Sequence, residues 1–267
     1  TEADIIIINT CCFINDAKEE SVNTILEMAE YRKSGSCKAL IVTGVLPEVS
    51  EEILDEIEEV DAVIGTATYD AITETVEKVL GGQKELRFEN IDRLVPDQGG
   101  RILTTGGHYA YLKIAEGCDK HCTYCIIPKL RGHFRSVPEE RLVAEAETLA
   151  GQGVKELILV AQETTLYGVD LYGEKRLPEL LRKLAAIPGS RGIRVQYCYP
   201  EEITEELIQT IKEEPKICHY LDLPIQHCND RILRRMGRRT TKADLVGIIE
   251  RLRREIPDIC LRTTLIT

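Results

Sequence analysis

Short β-branched runs alternate with helical apolar patterns along most of this chain, and that alternation limits what it can fold into. Residues 4–9 carry four consecutive isoleucines. A run apolar on both faces reads as a strand covered on both sides. Residues 17–31 read as a helix, with Val22, Ile25, Leu26 and Ala29 on one face and Asp16 as candidate N-cap. A strand at 39–42, a helix at 50–58 capped by Ser50, a strand at 62–64 and a helix at 70–80 follow. Strand–helix alternation of this kind builds a parallel sheet with covering helices.

Gly81-Gly82, Pro96, Gly99-Gly100 and Gly106-Gly107 then interrupt any long period. Beyond them the alternation resumes. Strands are predicted at 110–115, 157–161, 193–197, 220–223 and 260–266. Helices are predicted at 139–152, 178–186, 204–213, 230–236 and 242–255. Five such units predict all or part of a β/α barrel, whose active sites lie at the C-terminal ends of the strands. The resulting organisation is an α/β domain at 1–88, a linker at 89–108 and a partial barrel at 109–267, and parts of 81–108 are candidates for an edge hairpin.

The chain has 267 residues, 43% hydrophobic and 30% charged, with net charge −11. That balance fits a globular chain and argues against nucleic-acid affinity through bulk charge. A local basic run at Arg231, Arg234, Arg235, Arg238 and Arg239 is either a binding patch or a solvated helix end. No apolar stretch is long enough to span a membrane, and the expected compartment is the cytoplasm. The chain begins without Met and stops within an apolar run, so it reads as part of a longer protein.

The strongest chemical signal is Gly117-Cys118-Asp119-Lys120-His121-Cys122-Thr123-Tyr124-Cys125, directly after the predicted strand at 110–115. Three thiolates on one loop suit a soft metal centre. Iron–sulfur clusters are normally held by four cysteines, so a four-iron cluster on three leaves one iron open. Zinc is the alternative, with His121 or His133 as fourth ligand, although no second Cys-x2-Cys pair is present. Cys198, Cys218, Cys228 and Cys260 have no ligand spacing and read as small apolar residues.

This loop after a barrel's first strand resembles the radical S-adenosylmethionine (SAM) superfamily. The longer string from Ala110-Tyr111-Leu112-Lys113 to Leu130-Arg131-Gly132 resembles its methylthiotransferases. So does Asn9-Thr10-Cys11 followed by Ala17-Lys18-Glu19-Glu20-Ser21. Phe13-Ile14, the segment Ala161-Gln162-Glu163-Thr164-Thr165-Leu166-Tyr167-Gly168, and Leu223-Pro224-Ile225-Gln226-His227 resemble the branch acting on a ribosomal protein.

The resemblance implies a parallel-sheet iron–sulfur domain followed by a partial radical SAM barrel. It implies a 4Fe–4S cluster on Cys118, Cys122 and Cys125, with SAM on the fourth iron and cleaved by one electron to a 5′-deoxyadenosyl radical. Tyr124, Gln162 and Glu163 are the candidate SAM contacts, and Gln226 and His227 are substrate-facing or start a helix. The implied reaction adds a methylthio group to the β-carbon of an aspartate on protein twelve of the small ribosomal subunit. The sister activity on an adenosine of tRNA, and a non-catalytic zinc or iron–sulfur module, are the alternatives. Implied partners are the ribosomal protein, an electron donor such as a flavodoxin or ferredoxin, and a sulfur donor.

The family's N-terminal domain holds a second 4Fe–4S cluster, to which Cys11 corresponds as a ligand. A further ligand falls in a Val-Thr-Gly-Cys string, which here reads Val42-Thr43-Gly44-Val45. Valine cannot bind iron, so the second cluster depends on whether Cys12 or Cys37 substitutes. Lys129, Arg131, His133 and Arg135 form a basic stretch after the loop that either shields a cluster or meets an acidic partner.

Overall fold

The computed structural model describes residues 2–50, 53–94, 96, 101–104 and 106–266. The chain groups into two units, Thr1–Gly99 with Cys125–Gly132, and Gly100–Tyr124 with His133–Thr267.

In the first unit β1 (Ile5–Thr10), β2 (Ala39–Gly44), β3 (Ala62–Ile64) and β4 (Glu85–Arg87) form one sheet in chain order. Every pairing is parallel, with Ile5 opposite Ala39 and Thr10 opposite Gly44. All six residues of β2 are buried, because period-two geometry sends them to two covered faces. Leu40 and Val42 pack with Ile25 and Ala29 of α1 (Asn15–Ser34), while Ala39 and Ile41 pack with Val79 of α3 (Ile72–Leu80).

The structure corrects three local expectations. The first helix starts at Asn15 with Ile14 at the cap position and no side-chain cap, so Asp16 lies inside its first turn. Of the helix expected at 50–58, the structure shows α2 (Ile53–Glu56), with residues 51 and 52 outside the described residues, and a 3-10 turn at Pro47–Val49 precedes it. In that turn the Val49 N–H donates to Leu46 O at 3.1 Å. Residues 85–87 are not a hairpin but a parallel edge strand on β3, too short for period two to reveal.

In the second unit β5 (Tyr109–Lys113), β8 (Glu156–Val160), β9 (Gly192–Val195), β10 (Ile217–Asp222) and β11 (Cys260–Arg262) make one parallel sheet, in the order β11-β10-β9-β8-β5. Between β5 and β8 in sequence, β6 (Ala115–Glu116) and β7 (Arg135–Ser136) pair antiparallel, a hairpin that the sequence did not predict. α5 (Glu139–Gly151), α7 (Leu177–Ala186), α8 (Glu205–Glu213) and α10 (Lys242–Glu255) follow successive strands. Thr204 caps α8, and Thr241 with Asp244 forms a capping box on α10. With all five strands parallel, the segments after them emerge at one edge of the sheet, which is where a β/α barrel keeps its chemistry. Among the described residues no helix is long and apolar enough to cross a membrane.

Candidate iron–sulfur and cofactor site

Cys118 and Cys122 lie in the second unit, each 5% exposed. The loop that carries them is fixed at both ends. Gly117, at φ +78°, donates its N–H to Gln162 Oε1 at 2.8 Å. Thr123 donates its N–H to Met236 O and its hydroxyl to Arg235 O, both at 3.0 Å. These anchors come from the end of β8 and from α9 (Asp230–Arg235). Among the described residues, His121 within the loop, Tyr197 after β9 and Gln226 after β10 are the non-glycine residues with positive φ. All three sit at the C-terminal side of the sheet, and strain of this kind collects at functional sites.

Behind the loop is a charged cluster. Lys120, with its side chain 7% exposed, pairs with Glu202 and stands 3.7 Å from Glu201 and 3.9 Å from Glu163. Lys175 reaches Glu202 at 2.7 Å. Glu163 is fully buried. Its Oε1 accepts the N–H of Thr165 at 2.8 Å and the Thr165 hydroxyl, while Oε2 has no hydrogen-bond partner. Burial pushes the Glu163 carboxyl up to about 7. Burial also pushes the Glu202 carboxyl up, but Lys120 and Lys175 together hold it below the ordinary range.

Tyr199 joins this cluster to the loop. Its hydroxyl lies 3.8 Å from Cys122 Sγ. Lys120 Nζ stands 4.9 Å from its ring centre and the Arg238 guanidinium 4.3 Å. Arg238 is buried and donates to Pro224 O at 3.0 Å. Four of the five arginines of the basic run are exposed, but Arg238 is an interior residue of the site. Nothing in its run of like charges distinguishes it, and neither Tyr199 nor Lys120 stood out in the sequence.

The remaining predicted residues fall in several places. Gln162 is half-buried and its oxygen is engaged by Gly117. Tyr124 is 42% exposed. His227 accepts the N–H of Asn229 on Nδ1 at 2.9 Å, which favours the helix-starting role. His133 pairs with Asp119 at 2.8 Å. Cys198 is buried, and burial pushes its thiol up to about 12. Cys228 and Cys260 are exposed, contrary to the expected buried role.

Cys125, with α4 (Ile127–Arg131), belongs to the first unit, where Leu130 packs into the core. In that unit the ends of β1 and β2 meet. Thr10 Oγ1 donates to Thr43 O at 2.6 Å and accepts the Leu46 N–H at 3.2 Å. Gly44 has φ +98°, and a Cβ there would fall 2.4 Å from Thr10 O. Cys11 exchanges hydrogen bonds with Ser21 Oγ at 3.0 and 2.9 Å. The buried Cys12 thiol lies 3.2 Å from Val45 O, and burial raises its pKa. Cys37 bonds to Ala39 O at the start of β2. That is the far end of a six-residue strand from Gly44, roughly 16 Å at the strand rise. Cys37 therefore cannot stand in for a ligand at position 45.

Among the described residues, no three His, Cys, Asp or Glu side chains are gathered for a single metal ion. One tetrahedral zinc with Zn–S near 2.3 Å needs its sulfurs within about 4 Å of one another. Glu163 Oε2, Glu201 Oε2 and Arg238 Nε make no hydrogen bond, although the two carboxylate oxygens stand 3.9 Å from Lys120 and Arg238 respectively, and a charged cofactor could use such buried polar groups.

The radical SAM superfamily profile matches residues 112–267, and that of an uncharacterised family, UPF0004, matches residues 1–65. The chain is 68% identical to the ribosomal protein uS12 methylthiotransferase RimO of Lachnoclostridium phytofermentans, over all of this chain and 61% of the relative. It is 52% identical to RimO of Clostridium perfringens, over 99% of this chain and 60% of the relative. The chain thus spans about three fifths of the length of these curated relatives. Among solved structures, the radical SAM methyltransferase TsrM of Kitasatospora setae, with cobalamin and a [4Fe-4S] cluster bound, aligns with TM-score 0.65 at 14% identity. That alignment covers 98% of this chain and 57% of TsrM. The cobalamin-dependent SAM radical enzyme OxsB aligns with TM-score 0.64 at 14% identity, covering 99% of this chain and 41% of OxsB. At these identities the likeness is one of fold.

Proposed function

The chain belongs to the radical SAM superfamily, and on that footing we propose that it serves a methylthiotransferase acting on the β-carbon of an aspartate of ribosomal protein uS12. The observation that carries this reading is the 68% identity to a uS12 methylthiotransferase over the whole chain. Residues 1–88 form the iron–sulfur domain of that enzyme, 89–108 the linker, and 109–267 part of the SAM barrel.

Cys118, Cys122 and Cys125 would hold a 4Fe–4S cluster, and SAM would complete the site. When bound, the pair supplies the one-electron chemistry that activates an inert C–H bond. The protein's part is placement. Gly117 and Thr123 pin the two arms of the loop. Glu163 Oε2 and Glu201 Oε2, which make no hydrogen bond but stand 3.9 Å from Lys120 and Arg238 respectively, are the carboxylate oxygens that would meet the SAM ammonium. Gln162, which already orients Gly117, would contribute its amide N–H groups, and Tyr124 would contact the adenine. An electron donor of the flavodoxin or ferredoxin type and a separate sulfur source complete the reaction in the cytoplasm.

The second cluster is the point on which this chain departs from the pattern. Cys11 lies near the position expected of a ligand, but Val45 is buried and inert. Cys12 is held against the Val45 carbonyl. We read the chain as holding one cluster on its own residues.

The test is incubation of reconstituted enzyme with uS12-containing ribosomal subunits or with tRNA, followed by mass spectrometry. A methylthio group on a uS12 aspartate supports the reading. The same group on a tRNA adenosine transfers the assignment to the sister activity, and stoichiometric zinc without sulfide in anaerobic protein makes it a binding module.

A further inference from the structure

Beyond the loop cysteines themselves, the geometry points to Tyr199 as the hydrogen-bond donor that sets the reduction potential of a cluster held by Cys122; this rests on the cluster reading above. The phenol oxygen is 3.8 Å from Cys122 Sγ. In the free thiol either atom can donate. A thiolate bound to iron has no proton, so there the phenol alone can.

Three contacts fix the ring in place. The Tyr199 N–H donates to Thr165 Oγ1 at 3.3 Å, next to the buried Glu163. The Arg238 guanidinium packs on the ring at 4.3 Å, and Arg238 is itself tied to Pro224 O. Lys120, from the cysteine loop, stands over the same ring at 4.9 Å. Tyr199 thus has a defended position between two buried cations, and its one polar atom faces a ligand sulfur.

The consequence is electronic. A hydrogen bond to a ligating sulfur draws charge from the cluster and favours its reduced form. The Lys120 and Arg238 charges act in the same direction. Tyr199 is therefore a positioning and tuning residue: it acts through Cys122 and needs no contact with substrate.

The test uses the full chain, reconstituted anaerobically as wild type and as Tyr199→Phe, which keeps the ring and removes only the hydroxyl. Iron and sulfide are counted, and the midpoint potential is found by redox titration followed by electron paramagnetic resonance. Both proteins should hold about four irons, with the Tyr199→Phe midpoint shifted to a more negative potential. Equal midpoints at equal iron content would overturn the inference. Resonance Raman of the wild type in H2O and D2O gives an independent readout. An exchange-sensitive Fe–S(Cys) stretch that disappears in Tyr199→Phe supports it. If Tyr199→Phe does not hold a cluster, the wild type decides: no isotope shift overturns the inference. A wild-type chain that takes up no iron and sulfide overturns the cluster reading itself.

Discussion

Gly117 donates its backbone N–H to the side-chain oxygen of Gln162 at 2.8 Å. One residue before the first loop cysteine, the chain is thereby tied to the strand beside it. Replacing Gln162 by Leu leaves that N–H without its acceptor, a loss of about 1–3 kcal/mol where the group is buried. We expect slower cluster uptake and faster iron loss to a chelator than in the wild type. Unchanged kinetics would remove Gln162 from the anchoring role.

Cys122→Ala removes a ligand from the centre of the loop. Iron at this site should fall from about four per chain to near zero, and reductive SAM cleavage should vanish with it. Full cleavage by this variant would sink the assignment of the loop.

Glu163 gives the chain a pH dependence of defined sign. Its carboxyl lies at about 7 in the fold against 4.5 ordinarily. Between these values the folded state binds the proton and the unfolded state does not, so stability falls as pH rises through that window. The full difference is about 3 kcal/mol. In urea unfolding of the cluster-free protein, the wild type should lose roughly 2–3 kcal/mol relative to Glu163→Gln between pH 5 and pH 8. A constant difference between the two proteins would refute the buried, proton-holding carboxyl.

Gly44→Ala places a Cβ 2.4 Å from Thr10 O at φ +98°. Strain of this kind costs on the order of 1–3 kcal/mol before the backbone contact is counted. The urea midpoint of the first unit should drop, and Cys11, one residue beyond Thr10, should become more reactive toward a thiol reagent. An unchanged midpoint would mean that the β1–β2 corner tolerates rearrangement.

Val45→Cys tests the missing ligand directly. Cys12 Sγ is already 3.2 Å from the residue's carbonyl, so a thiol at 45 creates a neighbouring pair where one cysteine stood. We expect higher iron uptake than the wild type, lost again in Val45→Cys combined with Cys11→Ala. Equal iron in all three would show that this corner does not take up metal.

The parallel sheets were legible because runs such as residues 39–42 are apolar on both faces, as befits the covered strand β2; the isoleucines of residues 4–9 read the same way, yet β1 is an edge strand with Ile7 47% exposed. The cysteine loop was legible because its ligands are close in sequence. Tyr199 and Arg238 were not, because Tyr199 reaches Cys122 from the segment after β9 and Arg238 packs on Tyr199 from the turn after α9. In sequence they are a loop tyrosine before a proline and one arginine among five. Cys37 shows the converse. It looked like a spare ligand, yet the length of β2 separates it from the corner at Gly44.

Lys120 lies between two of the loop cysteines and points inward to carboxylates from two other strand ends. The cysteine loop therefore has an ionic latch built into its own spacer. Ions in solution screen such a shielded pair far less than an exposed one, so added salt should hardly loosen it. Acid is the effective key, because protonating Glu202 removes the nearest catch. Although burial pushes the Glu202 carboxyl up, Lys120 and Lys175 hold it below the ordinary range, so the latch stays shut until the pH falls beneath that range.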